Sequence, residues 1–283
     1  MKKLSLFLSS CSLIFAQETI HSSFSSYVES KTFKNSKQKE QGYVYGVGAD
    51  VHYNHAGYKM VFEHGDTQTK QPPLPRDLKF NKLFLKYNYK FVNKLQLHFH
   101  YGKVLSDNIS KTDGGAFYGF GLGYQLVKPL SVDFTHYQTY YDQFELSQND
   151  FKIEYKFLFK DVRFKLSTTS KYITLKDVVP NDFTKNSKDN YLTTLIALHT
   201  HYKTYHFGVG TSVGSFAFGV MNDGVKIQHH AMKISKNYSL GLGKTFGDFI
   251  IRTQYIAQEA TELPMKNDGV DIKTFRLIGN YKF

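Results

Sequence analysis

The sequence predicts an all-β fold, a transmembrane up-and-down antiparallel β-barrel of about fourteen strands, with twelve as the alternative count. Three observations carry this. Apolar residues recur at every second position in segment after segment. Short polar turns alternate with longer polar stretches along the chain. The composition is rich in aromatics, with 21 Tyr and 25 Phe but no Trp, yet the mean hydropathy is negative. A barrel crosses a bilayer with only half of each strand apolar, so its average stays low. A spanning helix needs roughly 18 consecutive apolar residues. Beyond the first residues the longest apolar run is Leu195-Ile196-Ala197-Leu198.

The first residues read as an export signal. Lys2 and Lys3 form a positive start, Leu4 to Phe15 is apolar, and Ala16 is a small residue before Gln17. The expected division is a signal peptide over 1–16 and one barrel domain over 17–283. Leu8-Ser9-Ser10-Cys11 offers a rival, lipoprotein-type processing, although the apolar stretch runs on past Cys11. Cys11 is the only cysteine, so cleavage at Ala16 leaves a mature chain without disulfide or thiol chemistry.

The strands follow from a period of two. Tyr43, Tyr45, Val47, Ala49, Val51 and Tyr53 share one face of Gly42–Tyr53. Leu83, Leu85, Tyr87, Tyr89 and Phe91 alternate with Lys86, Asn88 and Lys90. Ala116, Tyr118, Phe120, Leu122, Tyr124 and Leu126 alternate with a row of glycines and Gln125. Phe151, Ile153, Tyr155, Phe157 and Phe159 alternate with Lys152, Glu154 and Lys156. Short turns fall at Asn54–Gly57, Val92–Lys94, Lys128-Pro129, Lys160-Asp161, Lys203-Thr204 and Gly247-Asp248. Longer connections are expected at Thr67–Asp77, Ser106–Gly115, Phe144–Asp150, Lys176–Asn190, Met221–Gly224 and Thr261–Asp271. Six short turns join twelve strands, and Ile272–Phe283 adds one. Parity then assigns a further strand to about Ser22–Thr32, with Lys31–Gln41 as the first outer loop.

One region breaks the rhythm. Val209, Thr211 and Val213 share a face, whereas Phe216, Phe218 and Val220 are in the opposite phase. Val225 and Ile227 are likewise out of phase with Met232, Ile234, Tyr238, Leu240 and Leu242. A β-bulge in each strand accounts for this, giving one long hairpin that projects above the membrane with Asn222-Asp223-Gly224 at its tip. An extra hairpin turning at Lys236-Asn237 is the alternative.

The last strand carries Phe275, Leu277, Tyr281 and Phe283 on one face, with Gly279 among them and Phe283 terminal. This resembles the C-terminal signature of bacterial outer-membrane proteins, in which a final Phe and alternating apolar residues are read by the barrel assembly machinery. The likeness covers that strand in its residues and the whole chain only in architecture. In length and strand number the chain looks like the monomeric fourteen-stranded porins. The resemblance implies a Gram-negative outer membrane, contact with its lipids and lipopolysaccharide, and an assembly role for those four residues.

If the apolar face meets lipid, the other face points inward. It carries Lys59, Lys86, Lys90, Lys152, Lys156, Arg163, Lys165, Lys171, Lys233, Arg252, Arg276 and Lys282, against Asp50, Glu63, Asp133 and Glu154. Basic linings favour anions, so the expectation is a channel for passive diffusion of small, anionic solutes. Tyr87, Tyr89, Tyr101, Tyr137, Tyr140 and Tyr141 sit near strand ends and read as an interfacial girdle, and of these only Tyr137 and Tyr141 fall on the lumen face by phase.

Other classes find less support. A lipid hydrolase needs a His-x-Ser pair facing lipid, and the only one is His21-Ser22-Ser23, in the weakest strand. The histidine pairs His98/His100 and His199/His201 and the adjacent His229-His230 have no neighbouring carboxylate or cysteine in sequence to complete a metal site. Neither cofactor nor metal is expected, and no enzymatic activity. Asp182 and Asp189, beside Lys185 and Lys188, read as a solvated loop. A surface-adhesion barrel would act through Thr67–Asp77, with its stiff Pro72-Pro73-Leu74-Pro75, and through Lys176–Asn190. The lysines show no clustered face for nucleic acid.

Overall fold

In a computed structural model the chain forms one closed antiparallel barrel of fourteen strands. The structure describes residues 20–283 apart from 72, 73, 75, 93, 108–110, 180 and 181. The segment read as a signal peptide lies outside the described residues, as does most of the proline stretch.

The strands run in chain order around the wall: β1 (Ile20–Lys34), β2 (Lys39–Tyr53), β3 (Ala56–Thr69), β4 (Leu78–Val92), β5 (Leu95–Asp107), β6 (Ala116–Val127), β7 (Leu130–Tyr140), β8 (Phe144–Phe159), β9 (Val162–Asp177), β10 (Asn190–Tyr202) and β11 (Tyr205–Gly214). Two short strands, β12 (Val220–Met221) and β13 (Lys226–Ile227), pair only with each other. The wall resumes with β14 (Met232–Phe246), β15 (Phe249–Glu262) and β16 (Asn267–Lys282). The barrel closes where β1 pairs with β16, from Ser23 opposite Lys282 to Lys34 opposite Asp271.

The short turns form one end of the barrel. Asn54, Lys160, Lys203 and Gly247 each open such a turn with left-handed backbone, at φ 50°, 52°, 52° and 59°. That conformation lets two residues reverse an antiparallel pair with matching twist. Near this end an aromatic cluster lies outside, with Tyr58 and Tyr87 ring centres 4.9 Å apart and Tyr87 stacked on Tyr89 and Phe99.

The outer surface is apolar. Tyr45, Val47, Phe62, Leu85, Phe99, Phe120, Phe134, Phe151, Ile153, Leu240 and Phe275 all face out and are exposed. A continuous exposed belt of this kind needs a non-aqueous surrounding. None of the described helices is long and apolar enough to cross a membrane; the strands supply the crossing.

Several boundaries differ from the sequence reading. β1 is longer than Ser22–Thr32, and the connection after it shrinks to residues 35–38. Phe144–Asp150, expected as a loop, is the outer end of β8, and only residues 141–143 connect β7 to β8. Thr261–Asp271 is mostly strand, joined by a single 3-10 turn over Leu263–Met265. In each case the strand continues beyond the apolar zone, where polar residues replace the alternating pattern.

The segment between β11 and β14 is the chief correction. It does not project above the wall. β11 ends at Gly214, and residues 215–231 turn into the lumen. Asn222-Asp223-Gly224 does form the tip. There is one bulge, between Ile234 and Lys236 in β14. It reverses the phase of that strand: Met232 and Ile234 are buried inside with the insert, whereas Tyr238, Leu240 and Leu242 face out. Lys233, between Met232 and Ile234, therefore lies on the outer face rather than in the lumen. β14 is continuous through Lys236-Asn237, so no extra hairpin turns there.

Candidate functional site

The insert leaves the wall at Gly214. Its φ is +91°, and a Cβ there would sit 2.3 Å from the Leu192 carbonyl oxygen, so both the backbone angle and the close approach demand glycine. Ser215 then donates its N–H to the Leu192 carbonyl at 3.1 Å.

Inside, apolar side chains dock the insert. Phe216, Phe218, Val220, Ile227 and Ala231 are buried with Phe84, Phe117, Tyr137, Phe144, Ile173 and Tyr191 from the wall. Phe218 packs 5.2 Å from Phe144 and 5.6 Å from Phe183, which the β9–β10 connection supplies. Each fully buried large side chain contributes roughly 1.5–3 kcal/mol. Phe218 has a left-handed φ of 57°, a strain of about 1–3 kcal/mol that its complete burial offsets.

Polar contacts fix the position. The Gln148 carboxamide brackets the Val220 peptide, accepting from its N–H at 2.8 Å and donating to its carbonyl at 2.9 Å. Lys171 donates to the same carbonyl at 3.1 Å and pairs with Asp150. Lys82 reaches the Ile227 carbonyl at 3.3 Å. Lys226 pairs with Glu29 at 2.9 Å, and Asp223 pairs with Lys152 at 3.0 Å. Anchors on β1, β4, β8 and β9 place the insert across the lumen rather than along one wall.

Asp223 keeps 56% of its side-chain surface open to the lumen. Crowding by the surrounding wall opposes its charge, but the Lys152 and Lys86 ammonium groups and the Lys152 hydrogen bond outweigh this. They hold the carboxyl well below the usual carboxylate range.

Two cavities border the insert. The larger, about 890 Å³, is lined by Lys31, Lys39, Lys82, Arg163, Lys165, Lys226, Arg252 and Arg276, with Glu29 and Glu63 as its carboxylates. The smaller, about 270 Å³, is lined by Lys86, Lys90, Lys94, Lys152 and Lys156, with Asp133, Asp150, Glu154 and Asp223. Eight bases against two acids in the first, and five against four in the second, make the charge of the lumen uneven.

Of the basic residues expected inside, Arg163, Lys165, Arg252 and Arg276 border the larger cavity, and Lys86, Lys90, Lys152 and Lys156 the smaller. Lys171 borders neither; it is buried under the insert. Most of these charges are paired. Glu154 takes Lys156 at 2.9 Å, Lys165 at 3.5 Å and Lys152 at 3.8 Å. Lys59 lies 3.7 Å from Asp50. Among the described residues Arg252 has no carboxylate within ion-pair distance.

Sequence reasoning missed several inward acids, Glu29, Asp107, Asp150 and Glu262 among them. Glu29 sits in the weakly patterned first strand, and Asp150 in a segment taken for a loop. It missed Tyr27 and Tyr191 inside the barrel as well; Tyr27 donates to Glu63, and Tyr191 accepts from the Lys188 N–H at 3.0 Å. The histidines gain carboxylates from distant strands: His98 meets Asp133 at 2.6 Å, and His229 meets Asp107 at 2.9 Å. Phe275, Leu277, Tyr281 and Phe283 are exposed, the first three on the outer face of β16. Asp182 pairs with its neighbour Lys185 at 3.6 Å.

No family model matches the chain, and no curated protein matches it. Solved structures do. A structure titled bacterial polysaccharide outer membrane secretin aligns with a TM-score of 0.56 at 7% identity, over 92% of this chain and 98% of that one. A NanC porin aligns at 0.49 and 10% identity, over 91% and 100%. Pseudomonas aeruginosa OccK8 (OprE) aligns at 0.46 and 11% identity, over 93% and 98%. The first likeness shows the fold, a closed antiparallel β-barrel.

Proposed function

We propose that this protein is an outer-membrane channel for passive diffusion of small solutes, with a preference for anions. The observation that carries the reading is the larger cavity, whose wall sets eight basic side chains against two acidic ones. A positive, low-dielectric passage concentrates anions and repels cations. The insert acts as the constriction: it crosses the lumen and is held from several sides, so it narrows the path without moving freely. The near-balanced smaller cavity contributes little to the preference.

In this reading residues 1–16 direct export and are removed. The four apolar residues of the last strand guide recognition by the assembly machinery, and the outer rim meets lipopolysaccharide.

The test is single-channel conductance of the refolded mature protein in a planar bilayer with a salt gradient. Stable openings with an anion-selective reversal potential are expected. Replacing residues 216–230 by a short Gly/Ser linker should raise conductance by roughly twofold or more, because the narrowest section dominates resistance. Cation selectivity would overturn the preference, and a folded barrel that never opens, with or without the insert, would overturn the channel.

A further inference from the structure

We infer that Asp107, His229 and His230 form a binding site for a divalent first-row transition cation, of which Zn²⁺ is the type. Asp107 closes β5 at the outer rim, and the two histidines lie at the base of the insert, just before β14. One donor atom from each residue lies within 4.8 Å of the other two. Metal–nitrogen and metal–oxygen bonds of about 2.0–2.2 Å set donor atoms about 3–4 Å apart. Small side-chain rotations close the remaining distance.

A second observation points to a ligand. The Nε2 atoms of both His229 and His230 are buried and have no hydrogen-bond partner. His229 Nε2 lies only 2.9 Å from an Asp107 carboxylate oxygen, yet outside hydrogen-bonding alignment. Two buried imidazole nitrogens left unbonded beside a carboxylate are costly unless something else satisfies them. A shared cation does so for both at once.

The surroundings hold the donors in place as an outer layer of ligands does. Thr112 donates its hydroxyl to Asp107 at 2.7 Å. Phe80 packs edge-on against both rings, at 5.2 and 6.0 Å.

Two nitrogens and one oxygen suit a borderline cation better than Ca²⁺ or Mg²⁺, which prefer all-oxygen sets. Lys39 and Lys82 strengthen this choice, since they line the same cavity as the histidines. Their positive charge works against a cation held by electrostatics alone. A cation that gains from coordination to nitrogen tolerates it. The opening of both histidines onto the larger cavity gives the ion an entry path and leaves room for a water ligand. Bound there, the ion ties the base of the insert to β5.

The experiment is calorimetric titration of ZnCl₂ into untagged, refolded mature protein in detergent, after chelator treatment. Binding of one equivalent is expected, together with a higher unfolding temperature in Zn²⁺. His230→Ala and Asp107→Asn should abolish the binding, and Thr112→Val should weaken it about tenfold. Heat-modifiable migration on gels verifies that each variant is folded. If one ligand variant fails to fold, Thr112→Val and the other still decide. Co²⁺ in place of Zn²⁺ should give visible absorption bands that the ligand variants lack. The proposal fails if the folded barrel takes up no Zn²⁺ at millimolar concentration. It fails equally if binding survives in Asp107→Asn and His230→Ala, or disappears in His201→Ala. Binding is read without any conductance, so a silent barrel would leave this result standing.

Discussion

Glu29 on β1 meets Lys226 of the insert at 2.9 Å, although 197 positions separate them in the chain. The same carboxylate takes Lys31 at 3.1 Å and is bonded by Arg276 of β16, and its side chain is fully buried. One acid thus joins the insert to both strands of the closing seam. A buried carboxylate among three cations is held by pairing, because the carboxylate itself has no water to fall back on.

Glu29→Gln should therefore cost about 3–5 kcal/mol, the range for breaking a buried ion pair. The readout is the midpoint of denaturant or thermal unfolding of the refolded barrel. Pairing it with Lys226→Met should recover part of the loss, since the stranded cation is removed as well. An unchanged midpoint in Glu29→Gln would show that the cluster is solvated.

The tip tests close packing. Gly224 has φ +84°, and a Cβ would lie 2.1 Å from His100 Nδ1. Gly224→Val should cost about 1–3 kcal/mol through backbone strain and displacement of the imidazole. Gly224→Ala in a His100→Ala background, measured against His100→Ala alone, lacks the clash and leaves only the backbone term, about 1 kcal/mol. Equal losses in the two variants would mean that His100 does not confine the tip.

Selectivity should follow pairing rather than count. Arg252 faces the larger cavity without a carboxylate partner among the described residues, whereas Lys165 shares Glu154. Arg252→Glu should lower the anion-to-cation permeability ratio by about a factor of two or more. Lys165→Ala should change it less. The reversal potential in a salt gradient gives both values, and the opposite order would place the selective charge elsewhere.

Acid should loosen the tip only at low pH. Asp223 is held below its ordinary value by Lys152 and Lys86 against the opposing effect of crowding. A carboxylate depressed in the folded state contributes fully above its unfolded value, about pH 4, and loses that contribution as pH falls further. Single-channel conductance should stay level from pH 8 to about pH 5 and change only below about pH 4. Asp223→Asn should show the acid behaviour at neutral pH. A transition near pH 6 would implicate a histidine instead.

Much of the wall was legible in the sequence because lipid contact imposes a strict period of two on the outer face. Tyr43 to Tyr53 and Phe151 to Phe159 read directly as strands for that reason. The pattern fades where strands outrun the bilayer, so Phe144 to Asp150 and Asn267 to Asp271 passed for loops. The insert announced itself as a break in phase at Phe216, Phe218 and Val220. Its direction did not, because the partners that draw it inward, Glu29, Lys82, Gln148 and Lys171, are scattered over four strands. The uneven charge of the two cavities was hidden for the same reason: pairing of Lys171 with Asp150, or of Arg276 with Glu29, exists only once the wall is closed.

The rim opposite the short turns is low. Residues 35–38, 141–143 and 263–266 barely clear the strands they join, and the longest connection is turned indoors. A partner that gripped the barrel at this rim would find few projecting loops to hold. Among the described residues the longer connections at that rim are those between β3 and β4, β5 and β6, and β9 and β10. The inward-turned segment adds nothing to that rim: its length lies inside the barrel, against Glu29, Lys82, Gln148 and Lys171.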